Sequence, residues 1–426
     1  MTIQEETDVV VVGGGTAGTV AAIQAGRCGV RTTVVEMHGK LGGTTTVGGV
    51  NNIGYFHTGG EQVTAGIGWE LICETYQLAG RKRPPYTKPP TIRGVVRPSR
   101  YTLVDLNLYP ALAEDAALAV GVVLHYHEIV TGIERQDDMW CVTAVGKGGL
   151  ARQILAREVI DCTGDADLVG MLDLPREREE QRQPGTLEFR LAGYDWKTLD
   201  EEAIEARYKQ AIAAGALRPG DFAQHGAEKF LLFLRAGGWN KLHLPQAEST
   251  TSATQTDANI AGRQALLRLF RFVKSLPGCE EAQLAWTAES TAIRETFRII
   301  GETRVTEEDY RSGRVFDDAI GCSIFFIDIH EDTGHGVSEF LEPGVVPTIP
   351  LGALVPKGTR NLLVAGRTIS SDRAANSALR IQPACMVMGQ GAAAAAALGV
   401  KHGVPSRDVS IGELQQLLCE HGAILR

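Results

Sequence analysis

Apolar runs and small-residue breaks alternate over the first 36 residues in a pattern typical of an α/β unit. Four consecutive valines at residues 9–12 predict a strand that is buried on both faces. The small residues at 17–27 predict a helix that packs closely on a sheet. Residues 30–35 predict a second strand, which ends on Glu36. The pattern therefore predicts a strand, a helix and a second strand in immediate succession.

Glycines occupy the turn between the first predicted strand and the helix, with the spacing Gly13-x-Gly15-x-x-Gly18. We expect Gly13 to permit the tight turn, Gly15 to admit a pyrophosphate to the helix N-terminus, and Gly18 to allow close packing of helix on sheet. Glu36, at the end of the second strand, is placed to accept hydrogen bonds from ribose hydroxyls. The alternative is a glycine-rich turn with no ligand. The predicted cofactor contacts of this unit are Gly13, Gly15, Thr16, Ala17, Gly18 and Glu36.

Later segments bear on whether the nucleotide is NAD or FAD, which share the half that such a unit binds. Residues 38–49 form a second glycine-rich stretch that could wrap a longer ligand. Residues 158–164 and 361–366 each form a short strand ending on glycine. The predicted cofactor contacts from the stretch 38–49 are Gly42, Gly43 and Thr44.

A long apolar helix is predicted from about Pro383 to Gly399. Proline suits a first helical turn, where the backbone N–H groups have no partner inside the helix. Reduced flavin carries negative charge, so the positive start of this helix, at Pro383 and Ala384, would stabilise it. This helix favours FAD over NAD.

The middle of the chain has a different pattern. Residues 187–191 alternate as a strand does, with Glu188 and Arg190 on one face. Helical spacing predicts helices over residues 198–214, 257–275 and 289–300, and residues 306–309 resemble an acidic helix start.

These elements predict an α/β fold with two units. A Rossmann-like FAD-binding domain, three-layered with a mostly parallel sheet, comprises residues 1–170 and 348–426. An α+β substrate-binding domain, residues 171–347, is inserted between its two parts.

Composition and charge indicate which kinds of molecule the protein binds. The chain has 426 residues, 44% of them hydrophobic, as in ordinary globular proteins. A net charge of −9 argues against nucleic acid and anionic membranes, which attract basic surfaces. The eight cysteines form no Cys-x-x-Cys pair, so we expect neither a redox disulfide nor a metal site. A cytoplasmic protein with a small-molecule substrate is therefore expected, and a homodimer is the common default.

The four cofactor segments, in this order, resemble the FAD-dependent oxidoreductases of the glutathione reductase type. They are more distantly similar to fumarate reductase and succinate dehydrogenase flavoproteins. This resemblance implies FAD, with its ADP half on the first segment and Thr163 and Gly164 close to the cofactor. The residues that it places beside the ribityl chain and isoalloxazine are Gly366, Arg367, Pro383 and Ala384.

Two departures from the family pattern affect the cofactor. Arg367 stands where many relatives have an aspartate after the last strand glycine. The histidine that links flavin covalently in fumarate reductase-like proteins has no clear counterpart, although His57 lies nearby in sequence. We therefore expect FAD to be bound non-covalently.

The chain contains one dinucleotide fingerprint, whereas disulfide reductases and many monooxygenases carry a second one for NAD(P)H. We therefore expect a dehydrogenase or oxidase that passes a hydride directly between a small organic substrate and flavin N5. The electron acceptor stays open between oxygen, a quinone, a second organic substrate and a carrier protein. Alternatives are a reductase of an activated C=C bond, a non-catalytic flavin-binding or electron-carrier subunit, and an RNA-modifying flavoenzyme, which the negative charge disfavours.

Catalysis at a flavin needs a proton acceptor or donor and cations that orient the substrate. His57 follows the cofactor-wrapping stretch and is a candidate on the isoalloxazine side; a structural histidine is the alternative. Arg294 and Arg298 are spaced i, i+4 on a predicted helix, which suits either substrate binding or a salt-bridge network.

Asp328 and His330 lie on the same face of a predicted strand. A carboxylate that orients an imidazole is the usual arrangement of a tuned general base, and a core hydrogen bond is the alternative. His335, in a glycine-flanked turn, ranks lower. Arg373 and Arg380 flank the loop before the last long helix, so either could hold a substrate carboxylate or hydroxyl.

A basic loop at residues 81–100 has seven basic residues, five prolines and no acid. Proline excludes it from a helix or central strand. It is either a solvated loop or a rim that attracts an anionic substrate. If it is a rim, neutral residues at Arg97 and Arg100 should raise KM in a salt-dependent way.

Overall fold

The computed structural model describes residues 2–86, 91–92, 95–96, 100–223, 228–332 and 336–426. The helices within these ranges are α1 Thr16–Arg27, α2 Ile67–Leu78, α3 Leu108–Ala119, α4 Asp167–Met171, α5 Glu201–Ala213, α6 Phe230–Ala236, α7 Ser252–Lys274, α8 Glu307–Ser312, α9 Arg373–Leu379, α10 Gln382–His402 and α11 Ile411–Glu420.

The strands within the same ranges are β1 Thr2–Val12, β2 Thr32–Glu36, β3 Asn52–Ile53, β4 His57–Thr58, β5 Glu61–Gln62, β6 Thr91–Ile92, β7 Val95–Val96, β8 Thr102–Leu103, β9 Val123–Tyr126, β10 Glu128–Gln136, β11 Met139–Gly146, β12 Leu150–Asp161, β13 Arg176–Glu177, β14 Phe189–Ala192, β15 Gln283–Thr287, β16 Arg298–Ile299, β17 Ala319–Cys322, β18 Ile327–Ile329, β19 Val337–Glu339, β20 Thr348–Pro350 and β21 Leu362–Val364.

A seven-stranded sheet forms the centre of the fold, with the order β10-β11-β12-β1-β2-β9 and with β21 beside β12. The pairs β12–β1, β1–β2, β2–β9 and β12–β21 are parallel, and β10 and β11 form an antiparallel ribbon on the first part of β12. The predicted α/β class with a mostly parallel sheet is therefore confirmed. Because the five parallel strands run the same way, their carboxyl ends lie at one edge, where open α/β sheets bind ligands.

The valine run of β1 is buried on both faces of the sheet. Val9 and Val11 belong to the core that contains α1 and α10, whereas Val10 belongs to a core with Trp140 and Val142 of the β10–β11 ribbon. These valines are 0% exposed. The ribbon thus covers one face of the sheet and the helices cover the other, which explains why the sequence shows no polar alternation here.

Helix α10 packs along α1 beneath the sheet. A Cβ on Gly389 would lie 2.1 Å from the carbonyl oxygen of Ala17, so only glycine permits this approach. Within the described part of the chain, α10 is the one helix long and apolar enough to cross a membrane, but 94% of its apolar window is buried inside the protein. Its alanine-rich composition is accounted for by close packing on α1 and the sheet.

A second core lies in the middle of the chain. Its buried residues all fall within residues 187–293, and they come largely from β14, α5, α6 and α7. The helices predicted at 198–214 and 257–275 correspond to α5 and α7, and α7 begins five residues early because Thr251 caps it. The domain boundaries at residues 171 and 347 stay a prediction.

The prediction of a helix at residues 289–300 is wrong. This segment is extended, and Ala292 exchanges backbone hydrogen bonds with Thr186 in an antiparallel bridge before β16 begins. Arg294 and Arg298 therefore do not share a helix face. The predicted acidic helix start is correct, since Thr306 caps α8.

Candidate functional site

A cavity of about 1180 Å³ lies at the carboxyl-end edge of the parallel strands. It exceeds the roughly 300–1,000 Å³ of most small-ligand pockets, so it has room for a dinucleotide and a small substrate together. Residues at or just after the ends of β1, β2, β12 and β21 line it: Val12, Glu36, Cys162 and Ala365.

The three fingerprint glycines differ in what surrounds them. Gly13 has a φ of +94°, and a Cβ there would lie 2.5 Å from the carbonyl oxygen of Cys162. A Cβ on Gly18 would lie 1.8 Å from the carbonyl oxygen of Gly13, so helix α1 and strand β1 meet here without room for a side chain. A Cβ on Gly15 would meet no heavy atom within 4 Å. The space beside Gly15 is the cavity itself, at the N-terminus of α1.

Glu36 lies at the next strand end with its carboxylate directed to the backbone. One oxygen accepts a hydrogen bond from the N–H of Gly14 at 2.6 Å and the other from the N–H of His38 at 2.7 Å. The residue is buried and lines the cavity. These two bonds fix the carboxylate at the cavity wall, where ribose hydroxyls could reach it.

The second glycine-rich segment passes directly over the fingerprint. Gly42 and Gly43 both have positive φ, and a Cβ on Gly43 would lie 2.7 Å from the Cα of Gly15. Gly43 and Thr44 line the cavity, as do Thr16 and Ala17 at the start of α1. Two predicted contacts, Gly18 and Gly42, are not among the cavity-lining residues.

Thr163, Gly164, Gly366 and Arg367 also line the cavity. The guanidinium of Arg367 donates to Oδ1 of Asp165 at 2.7 Å, and that carboxylate also accepts from the hydroxyls of Ser249 and Thr296. An acidic group thus lines the cavity just after the end of β12, although the position after Gly366 carries an arginine. Burial and the neighbouring Asp165 carboxylate raise the pKa of the cavity-lining Asp167 to about 7.

Helix α10 reaches the cavity at its start. Ile381, Gln382 and Cys385 line the cavity, whereas the predicted contacts Pro383 and Ala384 do not. The side-chain amide of Gln382 donates to the carbonyl oxygen of Val50 at 2.9 Å, which fastens the helix start to the loop after residue 44.

The same cavity is also lined by four charged or titratable residues: Arg294, Asp328, His330 and Arg380. Nε2 of His330 lies 3.0 Å from Oδ2 of Asp328, and the Arg380 guanidinium donates to the backbone carbonyl of Asp328 at 3.0 Å. The structure therefore brings four of the six predicted catalytic residues to one cavity. Asp328 lies in β18 and His330 directly follows that strand, whereas Arg380 directly follows α9 and Arg294 lies in the extended segment before β16.

Burial sets the protonation of this cluster. Burial and the Arg294 guanidinium lower the pKa of His330 to about 4, so its imidazole is neutral at pH 7. Burial acts to raise the pKa of Asp328, but the hydrogen bond from His330 and the nearby arginines outweigh it, and the net shift is downward. A carboxylate paired with a neutral imidazole results.

The structure does not bring His57 or Arg373 to the cavity lining. His57 is buried and stacks on Tyr86 with ring centroids 4.2 Å apart, and burial lowers its pKa to about 4. Arg373 pairs with Glu295 at 3.0 Å. Arg298 pairs with Glu179 at 2.8 Å, so for this residue the salt bridge, and not substrate binding, is what the structure shows. Arg97 and His335 lie outside the described residues, and Arg100 is not among the residues that line the cavity.

Sequence reasoning missed two cavity walls. One is the hydroxyl- and amide-rich start of α7, which includes Thr251, Ser252 and Gln255. The other is an aromatic wall, defined as Tyr55, Tyr101, Phe325, Phe326 and Phe340. Aromatic residues next to one another in sequence, as at 325–326, were the only local signal.

The cavity fits an FAD molecule. The N-terminus of α1 opens onto empty space at Gly15, a buried carboxylate stands at the end of β2, and the N-terminus of α10 meets the same cavity. Helix N-termini favour negative groups such as a pyrophosphate or a reduced flavin ring. Which of these residues contact FAD stays a prediction.

Two curated relatives match a short segment of the chain. Mitochondrial dihydrolipoyl dehydrogenase of Dictyostelium discoideum is 62% identical over 40 residues, or 9% of this chain and 8% of the relative. Leghemoglobin reductase of Glycine max is 58% identical over 40 residues, again 9% and 8%. The matched segment thus spans only 8% of the length of these relatives.

Solved structures resemble the chain along nearly its whole length. A geranylgeranyl bacteriochlorophyll reductase-like protein of Thermoplasma acidophilum has a TM-score of 0.43 at 15% identity, covering 98% of this chain and 84% of that one. The p-nitrophenol 4-monooxygenase of Pseudomonas putida has a TM-score of 0.46 at 13% identity, with coverages of 98% and 85%.

A family model described as FAD dependent oxidoreductase matches residues 8–418. This match includes the fingerprint, the segment with the second core and helix α10. It agrees with the resemblance to flavoproteins that the cofactor segments indicate, and FAD is the cofactor of this family. The chain belongs to the FAD dependent oxidoreductase family.

Proposed function

We propose that this protein is a dehydrogenase or oxidase that takes a hydride from a small organic substrate, with His330 as the proton acceptor. The observation that carries the proposal is the Asp328–His330 pair, which lines the same cavity as the dinucleotide fingerprint. Bound FAD supplies the hydride acceptor. Asp328 accepts the hydrogen bond from Nε2 and so fixes the tautomer and orientation of the imidazole.

The residues around the pair support this role. The backbone N–H of His330 donates to the side-chain oxygen of Gln183 at 3.0 Å, and Gln183 accepts from Arg380 at 3.1 Å. These bonds hold the imidazole in one position, as a general base requires. Because the imidazole is neutral at pH 7, it can accept a proton from a hydroxyl or amine as the hydride leaves the adjoining carbon.

The test compares flavin reduction in the holoenzyme and in His330→Gln without air, with lactate, glycerol and benzylamine as probes of three substrate classes. General bases contribute about 10²- to 10⁴-fold, so we expect bleaching by the active probe to slow by at least about 100-fold with the flavin content unchanged. For the free wild-type enzyme, kcat/KM should fall only as the pH drops through about 4, where His330 takes up a proton.

The matched control is His402→Gln, because His402 forms a similar pair with Glu413 at 2.8 Å on the surface. Its bleaching rate should equal that of the wild type. An unchanged rate in His330→Gln would contradict the role of the base, and a protein that cannot take up FAD would contradict the cofactor assignment.

A further inference from the structure

Arg294 is a buried cation and Arg380 a partly buried one, and neither guanidinium group makes an ion pair within the described ranges. Arg294 donates to the carbonyl oxygen of Pro184 and to Oδ1 of Asn240, the latter at 3.0 Å. Arg380 donates to the Gln183 side-chain oxygen and to a backbone carbonyl, and its Nε is buried with no hydrogen-bond partner. All of these acceptors are neutral.

Other buried arginines of this protein are paired with carboxylates. Arg298 pairs with Glu179 at 2.8 Å, and Arg152 pairs with Glu128 at 3.0 Å. Burying a charge without a counter-ion is costly, so proteins normally pair it or leave it for a ligand. The two unpaired guanidinium groups both line the cavity, where a ligand can reach them.

The carboxylates near this arginine pair already have other partners. Glu188 is bound by Arg190 at 2.9 Å and Glu295 by Arg373. Asp328 is hydrogen-bonded to the neutral His330, so its charge offsets one of the two guanidinium charges. Burial also raises the pKa of Glu188 to about 7, which weakens its negative charge at neutral pH. Positive charge therefore remains uncompensated at the cavity wall, and an anionic group would balance it.

The aromatic wall lines the same cavity as the arginine pair. Phe325 and Phe326 stack with centroids 4.3 Å apart, and the ring of Phe340 lies 4.6 Å from that of Phe326. Tyr55 lies 5.3 Å from Phe325 and 5.1 Å from Tyr101.

Two residues connect the aromatic wall, along the chain or by packing, to the Asp328–His330 pair and to Arg380. Phe326 is two residues before Asp328, and Ile381, which follows Arg380, packs against the backbone at Gly54 together with Phe325. An aromatic surface and two guanidinium groups without an ion pair therefore line the same cavity.

We propose that the substrate is a monocarboxylic acid with a flat apolar ring, its carboxylate held by Arg294 and Arg380 and its ring packed on the aromatic wall. This inference rests on the proposed function and names the substrate class for the same site. Two guanidinium groups supply charge-assisted hydrogen bonds to the carboxylate. A carboxylate seated there also reduces the positive charge that disfavours protonation of His330, so binding would make the base stronger.

The test measures binding to the holoenzyme by isothermal calorimetry and by the flavin difference spectrum, so that it does not depend on turnover. Benzoate, phenylacetate and 3-phenylpropionate are compared with their neutral amides and with acetate. We expect at least one aromatic acid to bind ten times or more tighter than both its amide and acetate. Equal binding of acid and amide, or no binding of any aromatic acid, would overturn the anion site.

The acetate comparison separates two occupants of the aromatic wall, because the isoalloxazine is also flat. If the wall is filled by flavin, the ring of the probe adds nothing, and acetate binds as tightly as the aromatic acids. That result would overturn the ring part of the proposal. A tight-binding aromatic acid combined with normal bleaching in His330→Gln would instead contradict only the proposed base.

Substitution of each cavity arginine tests whether it binds the carboxylate of the aromatic acid. Arg294→Met and Arg380→Met should each weaken binding of the best acid by roughly 10- to 100-fold, as loss of a charge-assisted hydrogen bond does, and should leave binding of its amide unchanged. Arg311→Met removes a surface arginine paired with Glu307 and is the matched control. Wild-type affinity for the acid in both cavity variants would contradict the assignment, and the acid–amide comparison in the wild type decides the case if a variant does not fold.

Discussion

At the scale of single residues, the fingerprint glycines serve two different purposes: close backbone packing and space for a ligand. Gly13 and Gly18 have no room for a Cβ because backbone atoms lie 1.8–2.5 Å from the position it would take. Gly15 has room, since nothing lies within 4 Å of its Cβ position, and its φ of −67° suits any residue. Gly13 and Gly18 are therefore required by the fold, whereas Gly15 is required only by what occupies the cavity.

The Gly15→Ala variant should fold as stably as the wild type but bind FAD more weakly. The added methyl group meets no protein atom, so we expect the free energy of unfolding of the FAD-free protein to change by no more than about 0.5 kcal/mol. The methyl group projects into the cavity at the start of α1, where it would push a pyrophosphate from the helix N–H groups. FAD titration followed by flavin fluorescence gives the dissociation constant, which should rise at least about tenfold.

Gly412→Ala is the matched control, because a Cβ there also meets nothing within 4 Å and the residue lies far along the chain, in α11. Its affinity for FAD should equal that of the wild type. If Gly15→Ala also binds FAD normally, the pyrophosphate does not pass beside Gly15.

Single residues also show what the sequence could and could not predict about the site. Glu36 was predictable because local strand register places it at the sheet edge next to the fingerprint. The Asp165–Arg367 pair was not, because its members are 202 positions apart and meet only when β12 and β21 pair. The Asp328–His330 pair was predictable from the period of a strand alone.

At the scale of elements, Glu158 links three parts of the chain. It lies in β12, and its Oε1 accepts hydrogen bonds from the side chain of Asn361, just before β21, and from the backbone N–H of Ser406, just after α10. Burial raises the pKa of Glu158 from its ordinary value of 4.5 to about 7. Between these two values the folded protein keeps a proton that the unfolded chain has lost, so this group lowers stability as the pH rises from 4.5 to 7.

The Glu158→Gln variant should lose that pH dependence. Glutamine keeps an oxygen for both donors but does not ionise, so urea unfolding at pH 5 and pH 8 should show a smaller loss of stability for the variant than for the wild type. The difference is at most about 3 kcal/mol, from 1.36 kcal/mol per pKa unit. Glu420→Gln, at an exposed position in α11, should behave as the wild type does. Parallel pH profiles for Glu158→Gln and the wild type would show that the folded protein holds this carboxyl ionised.

Elements with strong local signals were predicted well. The valine strand, the glycine turn and the apolar α10 each carry their pattern within about 20 residues, and α10 begins one residue before the predicted Pro383. The segment at 289–300 misled the prediction because its spacing suits a helix while its backbone pairs with Thr186. Pairing between distant segments overrides local spacing.

At the scale of the whole molecule, the cavity lies where the two main cores meet. The core with α1 and α10 supplies Ala17 of the fingerprint wall, whereas the core within residues 187–293 supplies Phe233 and Ile293. Helix α7, whose later residues belong to that second core, lines the cavity with its start. A ligand that fills this cavity contacts both parts of the chain at once. Binding to the folded state alone stabilises a protein by about 2.7 kcal/mol when the ligand is at 100 times its Kd.

Removal of FAD should therefore loosen both walls of the cavity together. We expect backbone amides at residues 14–18 and at the start of α7, residues 252–256, to exchange hydrogen for deuterium faster in the FAD-free protein, because each segment loses contacts or a covering ligand. The exposed helix α11, whose residues do not line the cavity, should exchange at the same rate in both forms. Hydrogen exchange followed by mass spectrometry compares the two forms at equal concentration. If only residues 14–18 respond, the segment between the cofactor strands does not contact the cofactor, and the wall at α7 would face the substrate instead.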